Sequence, residues 1–373
     1  MIFRRSLHLA QFCGVVVLSF GGITLANAGT PITTVLELQA IQNNLSGSYA
    51  LAADINASAT STWNGGAGFL PIGNASTPFS GSFNGNGHVI SGIYINSTAG
   101  QVGLFGQIGS ANGHTGVVQN VGMTGGSITA YSTDYGYVGS LAGANAGTIS
   151  SSYSSTAITG GQNLDDSTGG LVGYNSGSIF NSHATGKVSG ANQGGLVGDN
   201  FGTIVQCYAT GAVSGGSGGY MGSGGLVGNN YSSIESSYAT GAVTGDFGRI
   251  GGLVGFNEGG SVTNSYASGP VTGTDGVYVG GLVGENNGSV VTSISTGKVG
   301  GTGTFTGGGL IGIMDSSGSV TTSYWDIQTS GQTTSAGGTG ETTAKLTSGL
   351  PAGFSAQVWD IVVKASFPYL PLT

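Results

Sequence analysis

The sequence predicts an all-β fold: a right-handed parallel β-helix with about one coil per repeat of 25–30 residues and a short capping helix at its N-terminal end. Three observations predict it. Glycine supplies 77 of 373 residues without the three-residue period that a collagen triple helix requires. Hydrophobic residues make up 38% of the chain and recur at regular intervals, which a disordered chain has no reason to do. Above all, one unit repeats: GGLVGYN from Gly169, GGLVGDN from Gly194, GGLVGNN from Gly224, GGLVGFN from Gly251 and GGLVGEN from Gly280. Looser copies begin at Val138 and Gly308, and an outlying VGLFG at Val102.

The chain opens with an export signal at residues 1–28. Arg4 and Arg5 form its positive region, an apolar stretch starts at Phe12, and Ala26-Asn27-Ala28 reads as a small-residue cleavage site. Cys13 falls within it, so Cys207 has no disulfide partner in the remainder. No later segment is long and apolar enough to span a membrane as a helix. Residues 29–106 form an N-terminal cap and irregular first coils. There Thr34-Val35-Leu36-Glu37 fits a capping box, with Leu38, Ile41 and Leu45 as the apolar stripe of a helix.

Residues 107–327 are the repeat solenoid. Its leucines, Leu141, Leu171, Leu196, Leu226, Leu253, Leu282 and Leu310, are separated by 30, 25, 30, 27, 29 and 28 residues, as coils with loops of different length would be. Each unit continues as Asn, a small residue, Ile or Val, then Ser-Tyr-Ala-Thr-Gly and Val, which suggests three strands per coil with Gly and Asn at the corners. Stacking places Leu171, Leu196, Leu226, Leu253 and Leu282 in one interior column, and Ile179, Ile204, Ile234, Val262 and Val290 in another. Asn175, Asn200, Asn230 and Asn257 form a corner column whose amides can bond along the axis. Neighbouring strand residues face opposite ways. The Ser column (Ser152, Ser182, Cys207, Ser237, Ser265, Ser293, Ser323) is expected inward. The column of Tyr153, His183, Tyr208, Tyr238, Tyr266, Ile294 and Tyr324 is expected outward. Residues 328–373 are a C-terminal cap, in which Val358 to Ile361 and Phe367 to Tyr369 close the end.

GGLVGxN followed by SYATG resembles the GLUG motif of large bacterial surface proteins. These include haemagglutinin- and adhesin-like exoproteins and the N-terminal regions of immunoglobulin-A-cleaving metallopeptidases. The flanks, ELQAIQNNLSGSYALAADINASATSTWNGGAGFLPIG and SYWDIQTSGQTTSAGGTG, resemble segments that accompany such arrays. The resemblance implies a repeat type and no chemistry, and the zinc-binding H-E-x-x-H of the metallopeptidases is missing from this sequence.

Composition narrows the function classes. Without Arg4 and Arg5, five basic residues face fifteen acidic ones, so no basic stripe exists for nucleic acid or anionic lipid. A sugar-cleaving site needs paired carboxylates. Asp165, Asp166, Asp199, Asp246 and Asp275 are read as solvated loop residues, none in register with a second carboxylate or a basic partner. A calcium site at Asp165/Asp166 and a Thr-based ice-binding face are the weaker readings. His88, His114 and His183 are scattered, and no metal or other cofactor is called for. Cys207 stands in for Ser as a small buried residue. The expected protein is therefore secreted or displayed at the cell surface and non-catalytic. It presents Tyr153, Tyr208, Tyr238, Tyr266 and Tyr324 as an aromatic column for contact with glycan or extracellular matrix protein. The alternatives are a β-helix polysaccharide-degrading enzyme and a structural spacer.

Overall fold

Each repeat becomes one coil because its strands are only two to four residues long and are broken at glycines and at residues held in the left-handed region. In a computed structural model, residues 29–371 are described apart from 111, 112, 114, 132–135, 162, 164, 165, 216–221, 275 and 276. The expected export signal lies outside the described residues. The coil from Ser233 shows the pattern: strands Ser233–Glu235, Tyr238–Ala239, Val243–Gly245, Arg249–Gly251 and Val254–Asn257. Each pairs in parallel with its counterpart in the next coil. The result is a parallel β-solenoid of about 9 turns. We name its sheets by their recurrent residue, in coil order: isoleucine, tyrosine, valine, glycine and asparagine. Among the described residues the first two have 11 strands each and the other three have 8.

Five strands per coil replace the three expected. The run Ile-x-x-Ser-Tyr-Ala is cut in two by the residue before Ser. Asn181, Gln206, Ser236, Asn264 and Thr292 occupy that corner at φ of 50°, 54°, 49°, 50° and 49°. The stretch that ends on the first glycine of GGLVG, where a corner was read, is itself a strand. Its reason is close approach: a Cβ on Gly251 would overlap the carbonyl oxygen of Val254, and one on Gly255 would sit 2.6 Å from Gly222 Cα. The glycine and asparagine sheets therefore meet backbone to backbone, and the first and last glycines of GGLVG are the residues that allow it.

The main core lies between the isoleucine, tyrosine and asparagine sheets. Leu171, Leu196, Leu226, Leu253 and Leu282 are fully buried there, as are Ile179, Ile204, Ile234, Val262 and Val290. Burying each such side chain contributes roughly 1.5–3 kcal/mol. A second, smaller core joins Val188, Val213, Val243 and Val271 of the valine sheet to Ile250 and Val279 of the glycine sheet.

Two polar ladders run through the interior. Asn145, Asn175, Asn200, Asn230, Asn257 and Asn286 are fully buried, and each Nδ2 donates to Oδ1 of the next at 2.7–2.9 Å. The Ser column is buried as well. Ser237 Oγ donates to Glu235 O at 2.8 Å and accepts the Cys207 N–H at 3.1 Å, and Ser265 and Ser293 repeat the arrangement. The hydroxyl thus satisfies a main-chain N–H that the left-handed corner takes out of the ladder. Cys207 fills the same place with a thiol whose pKa burial pushes up to about 12, so it is inert.

The ends are closed differently. At the N-terminus the helix Val35–Ala40 carries its capping box, with Thr34 and Glu37 bonding reciprocally, and buries Leu38 and then Ile41. Ser48–Leu51 and Ser82–Asn84 already lie in the isoleucine sheet, over a core filled by Phe69, Phe79, Phe83 and Phe105. At the C-terminus Thr339–Glu341 adds a strand to Tyr324–Asp326. The tail beyond then turns back along the flank of the solenoid instead of over its end, because its apolar residues meet the tyrosine column there.

Candidate functional site: the tyrosine flank

In Tyr208–Ala209 alternation sends Ala209 into the core and Tyr208 outward, and the same holds in each coil. Stacking the coils stacks the rings. Tyr153, His183, Tyr208, Tyr238 and Tyr266 follow at centroid separations of 5.1, 4.4, 4.9 and 4.7 Å, with no interplanar angle above 8°. Ile294 interrupts the column before Tyr324. Since the faces are used on one another, the flank presents ring edges and hydroxyls. At the first ring, Tyr153 leans over the Gly122 backbone, where a side chain on Gly122 would stand.

The five predicted tyrosines do not share one environment. Tyr238, Tyr266 and Tyr324 pack against Leu346, Phe354, Trp359 and Leu370 of the tail. Trp359 lies 6.2 Å from the Tyr266 ring and 4.5 Å from Phe354, which meets Tyr324 edge-on at 5.8 Å. The Tyr324 hydroxyl donates to Ala352 O at 3.0 Å. Burial, and then the neighbouring Tyr238, hold the Tyr266 phenol far above its usual value. Only the other end is open. There a groove of about 480 Å³ is lined by Ser151, Ser152, Tyr153, Asn181, His183, Gln206 and Tyr208, with Pro371 of the tail at one side. Ser151, Asn181 and Gln206 are left-handed corner residues, so one outward polar side chain stands beside each ring. Burial lowers the His183 pKa, which leaves the imidazole neutral at pH 7. Asn181, Gln206 and Pro371 were missed in the sequence. The corner residue varies in type, so it gives no motif, and the tail has no period that reveals its partner.

The acidic residues correct an expectation. Asp199 is no loop residue: it lies on strand Val197–Asn200, accepts from Asn229 Nδ2 at 2.8 Å and from the Ser167 hydroxyl, and burial raises its pKa. Glu285, a residue the sequence did not single out, pairs with Arg249 at 2.5 Å, and that guanidinium also lies 4.1 Å from the Phe256 ring centre. Both arrangements arise because the outward row of the asparagine sheet is faced by the glycine sheet. Asp166 spends its two oxygens on the N–H groups of Gly136 and Asn163, at 2.7 and 3.2 Å. Asp246 is exposed, while Asp165, Asp275 and His114 lie outside the described residues. Among the described residues no group of three or more His, Cys, Asp or Glu could hold a metal.

Three coils of this geometry match a known repeat. The family model described as the GLUG motif covers residues 166–189, 219–244 and 248–272. These three coils are GLUG-motif repeats. The chain is similar over part of its length to Halomucin from Haloquadratum walsbyi, 38% identical over 152 residues, which is 39% of this chain and 2% of Halomucin. It is also similar to a protein of Evansella cellulosilytica provisionally named a Gly-rich membrane protein, 40% identical over 121 residues, 32% of this chain and 13% of the other. The aligned region is thus a small part of each relative. Among solved structures, a chain from Bacteroides ovatus provisionally named an immunoglobulin A1 protease superposes with a TM-score of 0.51 at 18% identity, over 92% of this chain and 94% of that one. Another, named IgA1 Protease, superposes with a TM-score of 0.50 at 18% identity, over 79% of this chain and 21% of that one. At such identity the likeness is one of fold. No helix among the described residues is long and apolar enough to cross a membrane.

Proposed function

We propose that this chain is a secreted or cell-surface solenoid that makes non-catalytic adhesive contact with a neutral, hydroxyl-rich polymer, a glycan before a matrix protein, through the groove over Tyr153, His183 and Tyr208. The observation that carries the reading is the composition of that groove. Phenol hydroxyls, an uncharged imidazole and the amides of Asn181 and Gln206 recur one coil apart, with no charged side chain among the described lining residues. Such a surface exchanges hydrogen bonds with hydroxyls and offers nothing to a polyanion. It also lacks the carboxylate pair that glycoside hydrolysis needs. The relative named as a membrane protein and the signal expected at residues 1–28 support a place outside the cytoplasm.

The test is retention of the purified chain on immobilised neutral polysaccharides, soluble β-glucan among them, with polymer length followed in the same assay. Retention without shortening is expected, and Tyr153→Ser with Tyr208→Ser should reduce it at least ~10-fold, a loss of about 1.4 kcal/mol. Unchanged retention in the double variant would sink the groove. Shortened polymer would return the polysaccharide-degrading alternative.

A further inference from the structure

The tail holds the flank in an unusual way. From Lys345 to Tyr369, the main-chain bonds it makes beyond its own short helix run within the tail and to Thr342 just before it. Phe354 N–H donates to Pro351 O, Trp359 N–H to Ser355 O, Lys364 N–H to Thr347 O, and Asp360 and Tyr369 exchange a pair. No ladder joins it to a coil among the described residues, in contrast to Thr339–Glu341 just before it. Its polar ties to what precedes it include the Tyr324 hydroxyl to Ala352 O and the Thr343 N–H to Gln328 Oε1, on the short turn of helix after the last coil, at 2.6 Å. The rest of the hold is apolar, Leu346, Phe354, Trp359 and Leu370 against the aromatic column. Even that contact is imperfect, because the Trp359 indole N–H is buried without an acceptor, which costs part of what burial gains. Pro371, the last described residue of the tail, forms a side wall of the open groove.

We infer that residues 343–371 are a displaceable strap lying in the continuation of the groove, and that a longer ligand binds by lifting it from Tyr238, Tyr266 and Tyr324. This rests on the binding face proposed above and adds its regulation. With the strap down, the groove offers Tyr153, His183 and Tyr208. With it up, Tyr238 and Tyr266 extend the stacked edges as far as the interruption at Ile294, and the affinity for a long polymer is lowered by the fraction of molecules that are closed.

Hydrogen exchange on the full chain decides the strap without any ligand. The amides of Phe354, Trp359 and Tyr369 should exchange together at least ~100-fold faster than those of Ile204 and Ile234. Trp359→Ala should speed the tail further while the coils keep their protection. Retention on β-glucan then decides the gating: long fractions should hold Trp359→Ala about fivefold better than wild type, and short fractions equally well. Tail amides as protected as the coils would overturn the strap whatever the retention. Wild-type retention that is lost with Tyr153 and Tyr208 but unmoved by Trp359→Ala would overturn gating and leave the groove. No retention by either chain would overturn the groove and ligand-driven lifting together.

Discussion

The glycine–asparagine double layer and the tyrosine flank are built from the same coils at the same spacing, yet one tolerates nothing and the other tolerates much. In the double layer the repeat glycines meet backbone against backbone, and the ladder sets one buried amide against the next. At those positions no flexible group absorbs a change. On the flank a ring meets a ring, and the position accepts Tyr, His or Ile. Stacking forces apply equally to both. What differs is whether a substitution displaces fixed main chain or only another side chain.

Four changes would break or sharpen that contrast. Gly251→Ala should have the largest effect. Its Cβ would overlap a carbonyl within the zipped layers, so a loss of roughly 4 kcal/mol is expected by denaturant unfolding. Asn230→Ala should cost roughly 3 kcal/mol, because Asn200 Nδ2 loses its acceptor and Asn257 Oδ1 its donor in a fully buried site. On the flank, Tyr238→Ala should cost about 2 kcal/mol for two ring contacts, and Tyr238→His less than about 1 kcal/mol. A Tyr238→His loss as large as that of Asn230→Ala would erase the distinction.

Asp199→Asn should be a small change that runs the other way. The folded pKa of Asp199 is raised by burial, so the folded state holds this proton more tightly than the unfolded one. Stability is then greatest below the ordinary carboxylate range and falls as pH rises through the raised value. The variant should match wild type near pH 3 and exceed it by about 1 kcal/mol at pH 7. Thermal melts at the two pH values would expose the opposite outcome, a variant weaker at pH 7.

Much of the fold could be read in the residues because stacked coils turn spacing into contact. Leu171 to Leu282 and Asn175 to Asn257 are columns that one alignment of the chain on itself reveals, and the Thr34–Glu37 box is a local signal. Three things escaped. The corner at Gln206 splits a strand, but Asn, Gln, Ser and Thr all occupy it, so no single residue type marks it. The burial of Asp199 depends on two sheets folding face to face, a tertiary fact that alternation cannot supply. The site was the least legible: Tyr153 and Tyr208 were found by column, but the tail that covers the other tyrosines carries no repeat linking Trp359 to Tyr266.

The asparagine ladder has a direction. Each inner rung, Asn175 to Asn257, gives its hydrogen to the coil that follows and receives one from the coil before, so each turn passes on the same demand that it inherits. A turn of matching sequence inserted into the series, or removed from it, leaves no orphaned group and the same two ends. Length is therefore a nearly neutral variable for this architecture: a gene can lengthen or shorten the rod one turn at a time, changing its reach while every junction stays chemically identical.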